Sequence, residues 1–253
     1  MTTDQGDHGA TERPPTGRPV IYATQGVISS GHYLTSMAGM RLLVSGGNAF
    51  DALVAAAFAA AVVEPIAAYS LGAEGVFMLH DAASGDVLAL SGQGVAPGKA
   101  TVDFYKDKGL DAIPTGPGLQ APMAFTIPGV AAALIALLDR YGRKNLAEVL
   151  APAIEYAEKG IPHYEYMLRS LDNEATKEQF GTFPPGGSEI FYDKGRLPRP
   201  GSMLVQPGLG RTLSKMAEAE DNASGDRSAR LKAARDVFYT GEIAQSIVAN
   251  SEA

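Results

Sequence analysis

The chain has 253 residues, 45% of them hydrophobic and 19% charged, with a formal net charge of −7. That length builds one large domain or two small ones, with a core that needs no metal or disulfide staple. There is no cysteine, which excludes a thiol nucleophile and zinc–thiolate sites and fits a reducing compartment. The acidic balance argues against nucleic acid, where a basic face supplies affinity.

Residues 1–19 are polar with no apolar h-region, so they read as a disordered leader and not as a signal peptide. The cytoplasm is the expected compartment. Residues 20–253 then form the structured region. VIYATQGVISSG (20–31) reads as a short strand running into a turn. From His32 to Ser45 apolar residues recur at helical spacing, and Gly46 and Gly47 stop that helix. Asn48 is placed as the N-cap of the next one, with Asp51 in its first turn. The helix from Ala49 to Val63 contains twelve unbroken apolar residues, Ala52 to Val63. That is short of the roughly 20 needed to span a bilayer, so it is predicted to be enclosed on all sides.

VFMLHDAASGDVLALS (76–91) reads as a β-hairpin turning at Ala82–Gly85, followed by Gly- and Pro-rich coil to Pro128. Val130 to Tyr141 is predicted helical and closed by Gly142. Asn145 to Gly160 is a second helix, with Asn145 and Glu148 as a capping box and a kink or break at Pro152. Residues 181–207 read as a Gly/Pro-rich surface excursion. Helices near 208–219 and 240–250 are separated by the polar segment DNASGDRSAR. Ile243, Ile247 and Val248 begin an apolar stripe whose partner is expected in sequence beyond Ala253.

Chemical motifs are sparse. There is no Walker loop and no G-x-S-x-G. Gly116-Pro-Gly118-Leu-Gln-Ala121 follows no strand and meets Pro122, so it reads as a loop. His8, His32, His80 and His163 lack metal-ligand spacing. For His32 and His80 a capping or hydrogen-bonding role is the expectation. Glu155 and Glu158 are expected to be solvated on a helix face. No self-contained catalytic set or metal site is present, so the chain either is not an enzyme or is part of one whose nucleophile lies elsewhere.

The stretches 26–65, 71–101, 126–142, 146–162, 204–218 and 236–248 together resemble the large subunit of the γ-glutamyltranspeptidase family of N-terminal-nucleophile (Ntn) hydrolases. The signatures are SGGNAFDALVAAAFAAAVVEP and FYTGEIAQSI. The resemblance implies an α+β fold, the helix-rich large-subunit part of a four-layer αββα sandwich. It implies a precursor that cleaves itself before a threonine, whose hydroxyl becomes the nucleophile and whose freed amine the base. That threonine lies beyond this chain, so no catalytic residue is assigned here. The implied partners are the small subunit of the same precursor, as a heterodimer, and a small-molecule amide substrate, with no cofactor, nucleic acid or membrane. Exported relatives make the periplasm the alternative compartment.

Two departures from the family pattern bear on specificity. LGAEGVF carries Ala73 and Glu74 where the family has a run of glycines. SGQGVAP places Gln93 and Gly94 where γ-glutamyl enzymes carry Arg-Glu, the arginine holding the substrate α-carboxylate. Gln93 is thus the substrate-binding residue the resemblance implies, a neutral donor without the bidentate charge of a guanidinium. The expected substrates are amides whose acyl part lacks a free α-carboxylate, unless another cation such as Lys99 holds it. A non-catalytic scaffold that kept the helices and lost the nucleophile half is the rival reading.

Overall fold

The computed structural model describes residues 20–67, 69–114, 120–182 and 187–252. Their first helix, α1 (Tyr33–Val44), runs antiparallel in sequence into α2 (Ala49–Val63) through the Gly46–Gly47 turn, where Gly46 takes φ +86°. The two helices approach closely at Gly39. A Cβ there would stand 2.8 Å from the carbonyl of Ala52 and 3.3 Å from the Ala56 Cβ. Only glycine permits that spacing.

α2 is the spine of the core. Ten of its fifteen residues are buried, including Val54, Phe58, Val62 and Val63. It packs against α1, against α4 (Val130–Tyr141) and against α5 (Leu146–Lys159). Asn48 is its N-cap as expected, and Asp51 completes a capping box that the sequence reading did not name: Asn48 Oδ1 accepts from the N–H groups of Phe50 and Asp51, and Asp51 Oδ2 accepts from Asn48 N–H at 2.8 Å. Its end has no glycine cap. The carbonyls of Val62 and Val63 instead accept from the Gln206 amide (2.8 Å) and the Tyr164 hydroxyl (3.0 Å). Side chains from distant segments therefore satisfy the orphan groups that every helix end leaves.

Two strands, β1 (Gly75–His80) and β2 (Val87–Gly92), pair antiparallel from Gly75↔Gly92 to His80↔Val87. Phe77, Leu79, Leu88 and Leu90 turn toward the core, with β2 against α4. Val76, Met78 and Val87 lie on the open face, 68%, 79% and 66% exposed. A short α3 (Val102–Asp107) and a 3-10 turn at Ala121–Ala124 punctuate the coil that follows. After α5 come β3 (Ile161–Pro162), α6 (Glu165–Leu171), α7 (Glu174–Thr182), α8 (Gly187–Phe191) and β4 (Met203–Leu204), which pairs with β3. The chain then forms α9 (Pro207–Asn222), α10 (Arg227–Tyr239) and α11 (Glu242–Glu252), with α9 on α5 and α10 bridging α9 and α4.

Several expectations are corrected. Residues 20–31 form no strand; Val20, Ile21 and Tyr22 are 75%, 71% and 91% exposed and have no pairing partner among the described residues. Of the kink or break expected at Pro152, the break does not occur: α5 continues through it, with its buried face held between α2 and α9 while proline forfeits one helical hydrogen bond. The supposed polar separator after α9 begins a full helix. Asp226 caps α10 by accepting from Ala229 N–H, and Leu231, Ala234 and Phe238 bury its inner face. The coil reading of 92–128 misses α3, whose residues are all at least partly exposed and so leave no apolar periodicity. The excursion at 181–207 likewise contains α8 and β4.

The second family signature is structural too. α4 starts at Gly129, which has no side chain to cap it, and the Tyr239 hydroxyl accepts from Ala132 N–H at 3.0 Å in its place. Phe238 is buried beside it, and Glu242 pairs with Lys215 at 2.6 Å.

Candidate functional site

The hairpin register decides what stands beside Gln93. Since Gly75 pairs with Gly92, the next position outward on each strand brings Glu74 opposite Gln93. The Gln93 amide Nε2 donates to Glu74 Oε2 at 3.5 Å, the outer edge of hydrogen-bond distance. Both side chains are exposed, and by strand alternation they extend the open face carrying Val76, Met78 and Val87. The two departures from the family pattern are thus one local pair. Among the described residues no lysine or arginine forms an ion pair with Glu74.

The main chain beneath the pair is fixed by glycines. A Cβ on Gly129 would stand 2.2 Å from the Gly92 carbonyl oxygen and 2.7 Å from that of Gln93; one on Gly94 would stand 2.4 Å from the Ile127 carbonyl. Val95 and Ile127 form an antiparallel bridge, with Ile127 N–H donating to Val95 O at 2.9 Å, and Val130 N–H donates to Ala73 O at 3.2 Å. Residues 73, 92–95 and 126–130 therefore meet backbone to backbone. The Gln93 backbone is held while its side chain reaches outward.

Beside this junction lies an open, mainly apolar groove of about 950 Å³, lined by Gly72, Phe125, Ile127, Tyr239 and Ile247. Lys99, the alternative cation of the sequence reading, is exposed on this groove's wall.

The histidines serve other ends. His32 Nδ1 accepts from Leu34 N–H at 3.2 Å, capping α1 as expected, and its ring lies tilted against those of Tyr33 and Tyr164, with centroids 4.5 and 4.6 Å away. Burial lowers its pKa from the ordinary histidine value, against a smaller upward pull from Glu64. The same environment pushes Tyr164 up to about 12, chiefly by burial. His163 is buried, with Nδ1 2.8 Å from the Ser202 carbonyl, and His80 is exposed on the hairpin. His8 lies outside the described residues, as does part of the Gly116–Ala121 loop. Of the two helix-face carboxylates, Glu158 is exposed as expected, whereas Glu155 is half-buried and paired with Arg41 at 2.8 Å and Lys159 at 3.2 Å. Among the described residues no group of His, Asp or Glu is arranged to hold a metal, and no helix is long and apolar enough to cross a membrane.

A hydrophobic spine capped at both ends, a hairpin with one apolar face open and a close backbone junction at its root make a helix-rich α+β scaffold with Glu74 and Gln93 exposed at its edge. The sequence profile of the family described as gamma-glutamyltranspeptidase matches residues 35–253, and the chain belongs to that family. It is 34% identical over 230 residues to the glutathione hydrolase-like YwrD proenzyme of Bacillus subtilis, covering 91% of this chain and 39% of that protein. It is 35% identical over 227 residues to the oxamate amidohydrolase proenzyme of Klebsiella pneumoniae, covering 89% and 39%. Among solved structures, the Helicobacter pylori gamma-glutamyltranspeptidase superposes with a TM-score of 0.76 at 31% identity, over 90% of this chain and 60% of that one. The chain spans about two fifths of the length of the curated relatives it matches, 39% in both cases above.

Proposed function

We propose that the chain is the large-subunit portion of a self-cleaving Ntn amide hydrolase or acyltransferase, and that its nucleophilic threonine belongs to sequence beyond residue 253. The observation that carries this reading is the family match over 35–253, combined with the work its two signatures do. Asn48, Asp51 and Tyr239 all cap helices, which supports reading the signatures as scaffold rather than as reacting groups. The open apolar face of the β1–β2 hairpin supports the four-layer arrangement, since a second sheet laid on Val76, Met78 and Val87 would complete a sandwich. The partner in that arrangement is the small subunit of the same precursor.

The acyl group of the substrate is bound against Gln93. Relatives of this chain include enzymes named for glutathione and for oxamate, and those acyl groups differ in where they carry a carboxylate. Gln93 offers one neutral amide, so amides without a free α-carboxylate on the acyl part suit this site better than γ-glutamyl amides. The test is expression of the full-length precursor, followed by intact mass over time and N-terminal sequencing of any new fragment. Cleavage that leaves threonine as a new first residue, together with amidase activity, is the expected result. A single uncleaved chain without amidase activity would overturn the reading in favour of a non-catalytic scaffold.

A further inference from the structure

The pairing of Glu74 with Gln93 makes the acyl site more than neutral. Glu74 ends β1's open face with no cation paired to it among the described residues, and its Oε2 lies 3.5 Å from the Gln93 amide nitrogen. The backbone beside the pair is tied to the 127–130 segment, through Val130 N–H donating to Ala73 O, Ile127 N–H donating to Val95 O, and the close approach of Gly129 to Gln93.

We propose that Glu74 is a specificity-determining residue, repelling acyl groups that carry a carboxylate and favouring those that carry an ammonium group without one. This rests on the reading that Gln93 faces the acyl group. The physical basis is charge. A ligand carboxylate reaching Gln93 must approach a carboxylate that no cation of the described residues neutralises, whereas an ammonium group gains a partner there. Gln93 orients the pair: its Nε2 donates to Glu74, leaving its Oε1 free to accept from a ligand donor.

One consequence separates this proposal from the simpler view that only a missing arginine matters. An arginine introduced at 93 would arrive beside Glu74 and form an ion pair with it, and a guanidinium already matched to a carboxylate is poorly free to hold another. Gln93→Arg alone should therefore gain little toward γ-glutamyl amides. The gain should appear only when the carboxylate is also removed.

The experiment is a double-mutant cycle in the full-length processed protein, comparing wild type, Glu74→Gln, Gln93→Arg and the double variant. The readouts are kcat/KM for γ-glutamyl and 4-aminobutanoyl anilides, and the Kd values of glutamate and 4-aminobutanoate by calorimetry. Glu74→Gln is expected to weaken the 4-aminobutanoyl ligand and relax rejection of the γ-glutamyl one. The double variant is expected to prefer γ-glutamyl by roughly tenfold or more over the product of the two single effects. Strict additivity, or the full gain from Gln93→Arg alone, overturns the role of Glu74 while leaving Gln93 at the acyl site. Four proteins with one unchanged ligand preference overturn the acyl-site reading itself. Thermal melts of all four check folding and subunit association, since the face these positions extend is the one proposed to meet the small subunit.

Discussion

Asp51 Oδ1 occupies the space that Gly142 leaves open: a Cβ on Gly142 would stand 2.8 Å from it. Into that space come the backbone N–H groups of Arg143 (2.9 Å) and Lys144 (3.0 Å), both donating to the same carboxylate oxygen. The other oxygen closes the capping box with Asn48, whose own amide donates to the Tyr141 carbonyl at 2.6 Å. One fully buried carboxylate thus joins the start of α2 to the loop between α4 and α5, with backbone donors and no cation.

Asp51→Ala would strip three backbone N–H groups of their acceptor in a buried setting. The expected loss is roughly 3–5 kcal/mol, from about 1–3 kcal/mol for each unsatisfied group with partial rescue by water. Chemical denaturation of the full-length protein measures it, and a loss below about 1 kcal/mol would show that the carboxylate is not the anchor.

α2 is not enclosed on every side as expected, since Leu53 is 37% exposed, but its buried face predicts a different failure. Ala56 is 8% exposed and faces the α1 crossing at Gly39. Ala56→Asp buries a charge with no partner and is expected to abolish folding, since such burial costs several kcal/mol or more. Normal soluble yield and an unchanged melting temperature would contradict the packing described.

Tyr239→Phe isolates a single hydrogen bond. It removes the acceptor for Ala132 N–H at the glycine-capped start of α4 and leaves the ring in place. The expected cost is about 1 kcal/mol, that of a lost N-cap. A neutral result in denaturant titration would assign the cap to solvent.

How far could the sequence alone have reached these relations? The Asn48 N-cap and the Asn145–Glu148 capping box are local, set by residues at most three apart, and both are read correctly from the chain. The second oxygen of Asp51 serves a loop 92 residues away, and no local pattern carries that. α10 is missed because its buried stripe is only Leu231, Ala234 and Phe238 amid charged residues, so its helicity rests on packing against α9 and α4. The strand expected at 20–31 has apolar residues but no neighbour to pair with among the described residues. The Glu74–Gln93 pair was within reach. A hairpin turning at 82–85 already sets 74 opposite 93, and what was lacking was counting the register outward past the strands.

His32 gives the fold a dependence on pH. Its pKa is lowered in the folded state, first by burial, and its neutral Nδ1 is needed to accept from Leu34 N–H. The unfolded chain therefore binds a proton more readily, so this contribution is present above about pH 6.5 and is lost as pH falls toward the folded value. His32→Asn keeps a capping acceptor without the titration. The variant's melting temperature should fall less than that of wild type between pH 7.5 and 5.5; equal falls would remove His32 from the account.

The central claim, that this family scaffold serves an acyl group without a free α-carboxylate, is tested most directly in the processed wild-type protein. The measurement is the ratio of kcat/KM for γ-glutamyl anilide to that for 4-aminobutanoyl anilide, two substrates that differ by the one carboxylate. A guanidinium clamp would be worth on the order of 1.5–3 kcal/mol, or ten- to a hundredfold, in favour of the γ-glutamyl compound. With Gln93 beside Glu74 in its place, the predicted ratio is below one. A ratio of ten or more would contradict the account and place the carboxylate-holding cation elsewhere, with Lys99 on the neighbouring groove the first residue to examine.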